Sequence, residues 1–359
     1  MTYKAANTTV GGRAVRRLGA LLQGRAENET TMTQIKGYIP ASRRPGVLGV
    51  HSIDHFSLTV PDLEEARHFY TNFGLDVREQ QGSLELNTVG HPHRWGKLFE
   101  GPHKRLHYLS FGAFEDDFPR FRERLQQLGV KRLDPPPGFE TNGLWFRDCN
   151  GILVEIGVAE KTSPNEKTSA GSPTTPPGVR AAPLRSNAPR VHPGRLAHVL
   201  VYCTDVNHSI RFYSEVLGLR LSDQSGEVAF MHGVHGSDHH IVAFAKSDAP
   251  GFHHCSWDVP TVNDVGLGAM HMADGGFTRG WGFGRHVLGS NYFHYIRDPW
   301  GSYSEYSSDI DYFPCDKEVD VGFQTPENGF YLWGPNPPED FAHNYEIEAA
   351  NASPVGTRR

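Results

Sequence analysis

The sequence has little of what marks membrane, secreted or nucleic-acid-binding proteins. Its 359 residues contain no apolar run that approaches the roughly 18 residues a membrane-spanning helix needs. The four cysteines lie far apart and form no CxxC pair, which argues against a zinc knuckle or a disulfide framework and predicts a reducing, cytoplasmic location. The net charge of −6 is not concentrated in one block, so we expect no binding to nucleic acid or to a membrane.

Histidine, by contrast, is plentiful. The chain is long enough for two globular domains with additional segments, and 38% of its residues are hydrophobic, so a substantial core can form. The 20 histidines matter because imidazole is the commonest metal ligand and a proton carrier near neutral pH. Most of them are expected to be surface or packing residues, so their placement on strands decides which could bind a metal.

Three segments look peripheral to the folded domains. Residues 1–47 place arginines between leucines, which fits a basic targeting helix or, as we favour, an extended or misassigned start with Met32 as an alternative initiator. Residues 159–193 are rich in proline and serine and poor in apolar residues, so they predict a disordered linker. The tail, residues 316–359, is expected to pack back over the second domain and cap the entrance to its site.

The segments on either side of the linker repeat one pattern. Residues 53–62 alternate like a half-buried strand and lead into a helix that Gly74 ends, and residues 196–205 begin the same pattern again. Both copies carry Phe-Tyr and then Gly-Leu in the helical part. Such internal repetition predicts two homologous domains, residues 48–158 and 194–315, each containing two strand–helix–strands modules.

Three residues of the second copy have the character and placement of metal ligands. His198 lies on the first strand, and of the pair His253–His254 the second keeps the register of His198. Glu305 follows a turn at residues 298–301. Two histidines and one carboxylate on strands, with coordination positions left free, form the facial triad of non-heme Fe(II) oxygenases. Each histidine alone is more often a packing residue, but three in register with the repeat favour a metal site.

These residues resemble the type I extradiol (catechol-cleaving) dioxygenases of the vicinal oxygen chelate superfamily, over roughly residues 48–158 and 194–315. The resemblance implies an α+β fold of paired βαβββ modules that form an open barrel, with the metal in the C-terminal domain. It implies an oxidoreductase that uses Fe(II), or Mn(II), and O2 as co-substrate to open a catechol beside its vicinal hydroxyls. The product would be a muconic semialdehyde-type compound of aromatic catabolism. The expected partner is a small aromatic diol, and the enzyme is expected to be a homo-oligomer.

The resemblance also implies three catalytic side chains beyond the ligands. His240 matches the family's acid/base histidine, with His239 as the second choice because the register is uncertain by one. His286 matches a second pocket histidine, and Tyr295 matches the tyrosine that hydrogen-bonds a substrate oxygen. These positions favour an oxygenase over two alternatives on the same fold, which are a non-redox glyoxalase-like metal-dependent isomerase and a non-catalytic ligand-binding module.

The first copy departs from this pattern. It carries His55, His107 and Glu155 at the positions we match to the three ligands. Trp145 replaces the tyrosine of the second copy, however, and no histidine matches His286. A metal site that lacks the groups around its ligands has a lower metal affinity or activity. We therefore expect the first set to be vestigial or structural, although the sequence leaves metal binding there open.

Several aromatic residues could line the rim of a pocket for an aromatic ring, because ligand pockets are mostly hydrophobic. They are Phe252, Trp257, Trp281, Phe283 and Phe293. Each of them alone is more often a core residue, so the sequence does not reveal the ring substituents of the substrate.

Overall fold

Two consecutive βαβββ modules make up the first half of the chain. The computed structural model describes residues 41–351 except 138, 140, 172 and 173, so most of the predicted extension lies outside the described residues. The first module comprises β1 (Ser52–Val60), α1 (Leu63–Asn72), β2 (Asp76–Gln80), β3 (Ser83–Asn87) and β4 (Arg94–Glu100). The second comprises β5 (Arg105–Ala113), a 3-10 turn (Glu115–Asp117), α2 (Phe118–Gln127), β6 (Arg132–Leu133), β7 (Leu144–Arg147) and β8 (Leu153–Val158). Their eight strands form one sheet in the order β2-β3-β4-β1-β5-β8-β7-β6.

The second half repeats this plan. Its first module comprises β9 (Arg195–Cys203), α3 (Val206–Leu217), β10 (Arg220–Ser225), β11 (Val228–His232), β12 (Ser237–Asp238) and β13 (Val242–Lys246). The next comprises β14 (Gly251–Asp258), α4 (Val262–Asp274), β15 (Gly280–His286), β16 (Tyr292–Arg297) and β17 (Tyr303–Ser308). Strand β12 stands apart and pairs with β18 (Tyr312–Phe313). The predicted α+β architecture of two homologous domains is confirmed.

The tail closes both edges of the second sheet. It contains β19 (Gly322–Gln324), α5 (Pro326–Gly329), β20 (Tyr331–Trp333) and α6 (Tyr345–Asn351). The sheet order is β19-β10-β11-β13-β9-β14-β17-β16-β15-β20, so two strands only one short helix apart lie at opposite edges. The sheet must therefore curl until its edges approach each other, and α5 lies across the gap. The tail packs over the second domain, as predicted.

Local sequence explains where the first helix begins and ends. The side chain of Asp62 accepts hydrogen bonds from the backbone N–H groups of Glu64 and Glu65, at 2.8 and 3.0 Å, which satisfies two donors that the first turn leaves free. Gly74 follows the helix at φ 96°, a left-handed conformation that glycine adopts without strain. A Cβ at this position would also collide with the carbonyl oxygen of Val191.

The two halves share one hydrophobic core. The ring of Phe73 stacks on that of Tyr306 with a centroid distance of 3.9 Å, and the Tyr306 hydroxyl donates to the Phe73 carbonyl at 2.8 Å. Buried Lys104 of the first half pairs with Glu346 of the tail at 2.9 Å. Within the described part of the chain no helix is long and apolar enough to cross a membrane.

The segment between the two sheets is held at its start. The hydroxyl oxygen of Ser52 accepts hydrogen bonds from the backbone N–H groups of Thr162 and Ser163, at 2.9 and 2.8 Å. The described residues of 159–193 form no strand, and Arg185–Asn187 make one 3-10 turn. The predicted disorder of this linker stays a prediction.

Two buried histidines make the stability of the fold depend on pH. Burial lowers the pKa of His51 and of His235 from 6.5 to about 4. Since the pKa is lower in the folded chain, the unfolded chain binds more protons as pH falls below 6.5, and the free energy of unfolding decreases until pH reaches about 4. Each shift corresponds to about 3 kcal/mol. We expect the thermal unfolding midpoint to fall steeply over this interval, as measured by circular dichroism.

The variant His51→Gln tests the source of this dependence. Glutamine can still donate to the Ala159 carbonyl, which the imidazole now meets at 3.2 Å, but it does not titrate. The slope of the midpoint against pH should therefore become shallower. The matched control is His208→Gln at an exposed position, which should leave the slope as it is. Equal slopes for His51→Gln and the unmodified protein would contradict the assignment.

Candidate metal centre

Three side chains from adjacent strands meet on the inner face of the second sheet. His198 comes from β9, His254 from β14 and Glu305 from β17, and β14 lies between the other two strands. All three residues are buried, and one ligand atom from each lies within 4.8 Å of the others. The structure thus brings together the three predicted ligands, which are 56 and 51 positions apart in the sequence.

The spacing of these atoms fits a single divalent ion. Nε2 of His198 lies 3.3 Å from Oε2 of Glu305 and 3.3 Å from Nε2 of His254, which is 3.7 Å from the same oxygen. Donor atoms bound to one ion at about 2 Å lie roughly 3 Å apart. The Glu305 Oε2 atom is buried and has no hydrogen-bond partner among the described residues, a costly state that a cation would relieve. Two imidazoles and one carboxylate suit Fe(II) and Mn(II).

Hydrogen bonds fix which nitrogen of His254 faces this point. Nε2 of His253 lies 2.8 Å from the carbonyl oxygen of Phe341, an acceptor only, so this nitrogen carries the hydrogen. Nδ1 of neutral His253 is then an acceptor, and it lies 2.6 Å from Nδ1 of His254, which must donate. The lone pair of His254 is left on Nε2, where the metal would bind. His253 therefore orients its neighbour, a role that no pattern in the sequence predicts.

The pair His239–His240 repeats this arrangement on the other side of the site. Nε2 of His239 donates to the carboxylate of Asp223 at 2.6 Å. Nδ1 of His239 then accepts from Nδ1 of His240 at 3.0 Å, which leaves Nε2 of His240 with a free lone pair. The ring of His240 packs against that of His198 with a centroid distance of 3.9 Å. Of the two candidates for the acid/base residue, His240 lines the cavity and His239 lies behind it.

The opposite side of the site carries His286 and Tyr295. Nε2 of His286 lies 3.0 Å from the Tyr295 hydroxyl, and its Nδ1 donates to the carbonyl of Phe330 in the tail at 2.9 Å. Burial, together with the charge of nearby Glu305, holds the pKa of Tyr295 well above 10, so the hydroxyl stays protonated. His286 and Tyr295 both lie within reach of a molecule bound beside the ligands.

Glu305 is held in its ionised form. Burial acts to raise the pKa of its carboxyl group, but His198, His286 and the Ser256 hydroxyl together lower it by more, and the net pKa lies below 4.5. Its second oxygen, Oε1, accepts a hydrogen bond from the buried side chain of Asn291 at 3.0 Å. Asn291 also donates to Ser307 at 2.9 Å, so it is fixed from two sides. No pattern in the sequence marks Asn291 as a partner of the ligand.

A cavity of about 290 Å³ opens onto the three ligands. Its inner end is formed by the ligands with His240, His286 and Tyr295. Its outer end reaches the surface beside Pro326 and Phe330 of the tail, and Phe330 is 40% exposed. The site is therefore accessible from solvent through a mouth that the tail narrows.

The aromatic residues predicted for the rim do not line this cavity in the described part of the structure. Trp257 and Phe252 instead belong to the core shared by the two halves, where both rings pack on Phe56 at centroid distances of 6.5 and 5.3 Å. The aromatic walls come from Phe230 and from Phe330 and Phe341 of the tail. No periodic pattern in the sequence places the tail there.

The predicted match between His107 and the second ligand is wrong by one residue. In both domains a serine of the central strand faces the first ligand position across the sheet. In the first domain this serine is Ser110, which faces His55. Tyr108 lies two positions before Ser110, just as His254 lies two positions before the matching serine of the second domain. Tyr108 therefore occupies the place of the second ligand.

Contacts in the first domain replace the metal site with hydrogen bonds. The Tyr108 hydroxyl lies 2.8 Å from Nε2 of His55, and the Ser110 hydroxyl donates to Glu155 at 2.8 Å. The His107 ring packs instead against Phe99. Among the described residues, the only group placed to hold a metal is the one in the second domain. A structural role for His55, His107 and Glu155 is therefore favoured over metal binding.

The fold and the site together define a two-domain enzyme with a 2-His-1-carboxylate metal centre. The chain matches the family described as the Glyoxalase/Bleomycin resistance protein/Dioxygenase superfamily over residues 52–156 and 195–306, one match in each domain. It is 48% identical to metapyrocatechase 2 of Cupriavidus necator over 298 residues, which are 83% of this chain and 93% of that protein. The chain belongs to this superfamily and, within it, to the type I extradiol dioxygenases. It is an oxidoreductase of the extradiol ring-cleaving class.

More distant relatives share the architecture. The manganese-dependent 2,3-dihydroxybiphenyl 1,2-dioxygenase of Geobacillus genomosp. 3 is 23% identical over 266 residues, which are 68% of this chain and 80% of that one. An extradiol ring-cleaving dioxygenase from B. fuscum superposes with a TM-score of 0.66 at 22% identity, covering 84% of each chain. The Mn(II)-bound glyoxalase of Novosphingobium aromaticivorans gives 0.65 at 22% identity, covering 82% of this chain and 94% of that one. At these identities the two structures support the fold alone.

Proposed function

We propose that this enzyme opens the ring of a catechol-type diol next to its vicinal hydroxyls, with both atoms of O2 entering a muconic semialdehyde-type product. The observation that carries the proposal is the convergence of His198, His254 and Glu305 at the inner end of an accessible cavity. The relative with 48% identity, a metapyrocatechase, supports an oxygenase over an isomerase or a binding module. One side of the ligand set faces the cavity, so a diol and O2 can reach it.

The same residues would bind the metal, for which we propose Fe(II), with Mn(II) as the second candidate. When bound there, Fe(II) would hold the diol and O2 side by side and pass electrons between them. His254 presents its Nε2 lone pair because His253 accepts the hydrogen of its Nδ1. Glu305 supplies one ionised oxygen while Asn291 occupies the other.

His240 would serve as the acid/base residue. Burial and the surrounding histidines hold the pKa of His240 well below 6.5, so it is neutral near pH 7. Its Nδ1 hydrogen is directed to His239, so Nε2 is the atom that can accept a proton from a substrate hydroxyl. The proton could return to the substrate from the same atom later in the reaction.

His286 and Tyr295 would position the substrate oxygens. The neutral tyrosine is a donor at working pH, and its hydroxyl is free to turn from His286 to a substrate oxygen. His286 is itself fixed by the tail carbonyl of Phe330. The substrate would thus lie between His240 on one side and the His286–Tyr295 pair on the other.

An oxygen-electrode assay tests the proposal. The metal-free protein is loaded separately with Fe(II), Mn(II) or Zn(II) and mixed with catechol and with carboxylated, alkyl and phenyl catechols in air. We expect O2 uptake and a yellow product with Fe(II), less or none with Zn(II), and loss of both signals after chelation, because only a redox metal can pass electrons to O2. A colourless mixture for every catechol with both Fe(II) and Mn(II) would contradict the proposal.

A homo-oligomer and a cytoplasmic location stay predictions from the sequence. Sedimentation of the purified protein measures the first of them. A single species with the 40.0 kDa mass of the chain would show that the prediction of a homo-oligomer is wrong.

A further inference from the structure

A second cavity, of about 200 Å³, lies at the open end of the β10–β11 hairpin. Its walls come from the start of β10, the end of β11 with the loop that follows it, and the segment between β18 and β19. None of its lining residues lines the cavity at the metal centre. The proposed ring cleavage therefore makes no use of this space.

Positive charge dominates the walls of this second cavity. Arg44, Arg220 and Lys317 line it together with one carboxylate, that of Glu318. Glu318 pairs with Arg44, whereas neither Arg220 nor Lys317 forms an ion pair with any residue in the described part of the chain. Three cations and one carboxylate leave a net charge of +2 around the cavity. Such a cleft attracts anions, and two uncompensated positive charges suit a divalent one.

A buried histidine adds a hydrogen-bond acceptor to this cationic lining. His232 is only 8% exposed and pairs across the hairpin with Arg220. The Ser222 hydroxyl donates to the carbonyl of His239 at 2.5 Å, so it must accept from Nδ1 of His232, which lies 2.8 Å away. Nε2 of His232 then carries the lone pair. This atom has no partner among the described residues, although it is open to the cavity.

The protonation state of His232 limits which anions can fit. Burial, aided by His239 and Arg220, lowers the pKa of His232 to about 3, so the imidazole is neutral near pH 7. An anion whose oxygens are all acceptors would leave the Nε2 lone pair buried without a hydrogen bond, which is costly. An anion that also carries an O–H group can donate to Nε2 and accept from the cations at the same time.

We propose that this second cavity binds a small oxyanion that keeps an O–H group, either hydrogenphosphate or a short hydroxy acid. The O–H group donates to Nε2 of His232, and the negative oxygens accept from the guanidinium of Arg220 and the ammonium of Lys317. The cavity is smaller than the range of about 300–1,000 Å³ that is typical of sites for larger ligands, so it limits the anion to this size.

Titration calorimetry of the Fe(II)-loaded enzyme under argon compares anions with and without an O–H group. Phosphate keeps at least one O–H group at neutral pH, whereas sulfate, which is similar in size, has none. We expect phosphate to saturate a single site per chain and sulfate to bind about tenfold or more weakly, because it cannot donate to His232. Glycolate and acetate make the same comparison for an organic anion. Whether phosphate or glycolate binds more tightly then identifies the source of the anion.

Variants of the lining residues test each contact. Arg220→Gln and Lys317→Gln should each weaken binding of the preferred anion about tenfold, because each removes a charge-assisted hydrogen bond. The matched control is Lys131→Gln at an exposed position of the first domain, which should bind as the unmodified enzyme does. His232→Gln should lose the preference for phosphate over sulfate, because its amide can donate as well as accept. If that variant does not fold, the ratio of the two affinities in the unmodified enzyme still tests the lone pair.

A further variant separates this cavity from the metal centre, since oxyanions can also bind to a metal ion. His254→Ala removes a metal ligand and should leave the affinity for phosphate or glycolate unchanged. Loss of anion binding in this variant would place the anion at the metal and overturn the proposal. Equal affinities within both pairs, phosphate with sulfate and glycolate with acetate, would also overturn it. So would unchanged binding in both Arg220→Gln and Lys317→Gln. None of these outcomes depends on ring cleavage, so they do not bear on the proposed function.

Discussion

Replacement of His254 by alanine is expected to abolish both metal binding and ring cleavage. The imidazole supplies one of the three donor atoms that meet at the site, and the strands that carry the other two ligands hold them at a spacing that suits a third. Loss of an outer partner of a metal ligand typically costs about 10–100-fold in metal affinity, and loss of the ligand itself must cost more. Iron content by plasma mass spectrometry and O2 uptake with an alkyl catechol measure the two effects.

The first domain offers the matched control for this variant. His107 also lies on the central strand of its sheet and was the predicted counterpart of the second ligand, yet Tyr108 occupies that place. His107→Ala should therefore keep one iron per chain and full turnover. If His254→Ala bound iron as well as His107→Ala does, the three-ligand site would be refuted.

The error at His107 shows what a repeat can and cannot predict. The strands, the helices and the pairing of the two domains followed from apolar periodicity and from the Phe-Tyr and Gly-Leu pairs. The register of β5 did not follow from these patterns, because either of the two adjacent histidines in the second domain could be aligned with His107. Only the pairing of strands across the sheet, in which Ser110 faces both His55 and Glu155, settles it. A slip of one residue moves a side chain to the other face of the sheet.

The hydrogen-bond partners that orient the histidines around the metal ligands could not be predicted from the sequence, for a different reason. His253 and His286 each depend on a carbonyl of the tail, from Phe341 and Phe330, which are 88 and 44 residues away. A backbone carbonyl belongs to every residue, so no residue type marks these partners. The role of Asp223 as the partner of His239 could not be predicted either, because acidic residues are common on strands near the surface. The contacts with the tail could be identified only in the folded structure, where the tail strands pair with the two edges of the sheet.

Replacement of His240 by alanine is expected to leave the metal in place and to remove most turnover. His240 is not among the three convergent ligands, although its ring touches that of His198. Its free Nε2 faces the cavity and would move the proton of the substrate, and loss of a positioned acid/base group typically costs about 10²–10⁴-fold in rate. We expect iron content near that of the unmodified enzyme and a fall in kcat of this order, with a smaller change in KM.

A binding measurement distinguishes this role from one in holding the metal. Under anaerobic conditions the Fe(II)-loaded His240→Ala variant should still bind an alkyl catechol, with a spectral change that His254→Ala cannot show. His240→Asn serves as the matched control, since asparagine keeps a polar side chain beside His239 but cannot take up a proton near pH 7. It should therefore be as slow as the alanine variant. Equal loss of iron in His240→Ala and His254→Ala would instead mean that the lone pair on Nε2 of His240 serves the metal, and the proton would then need another acceptor.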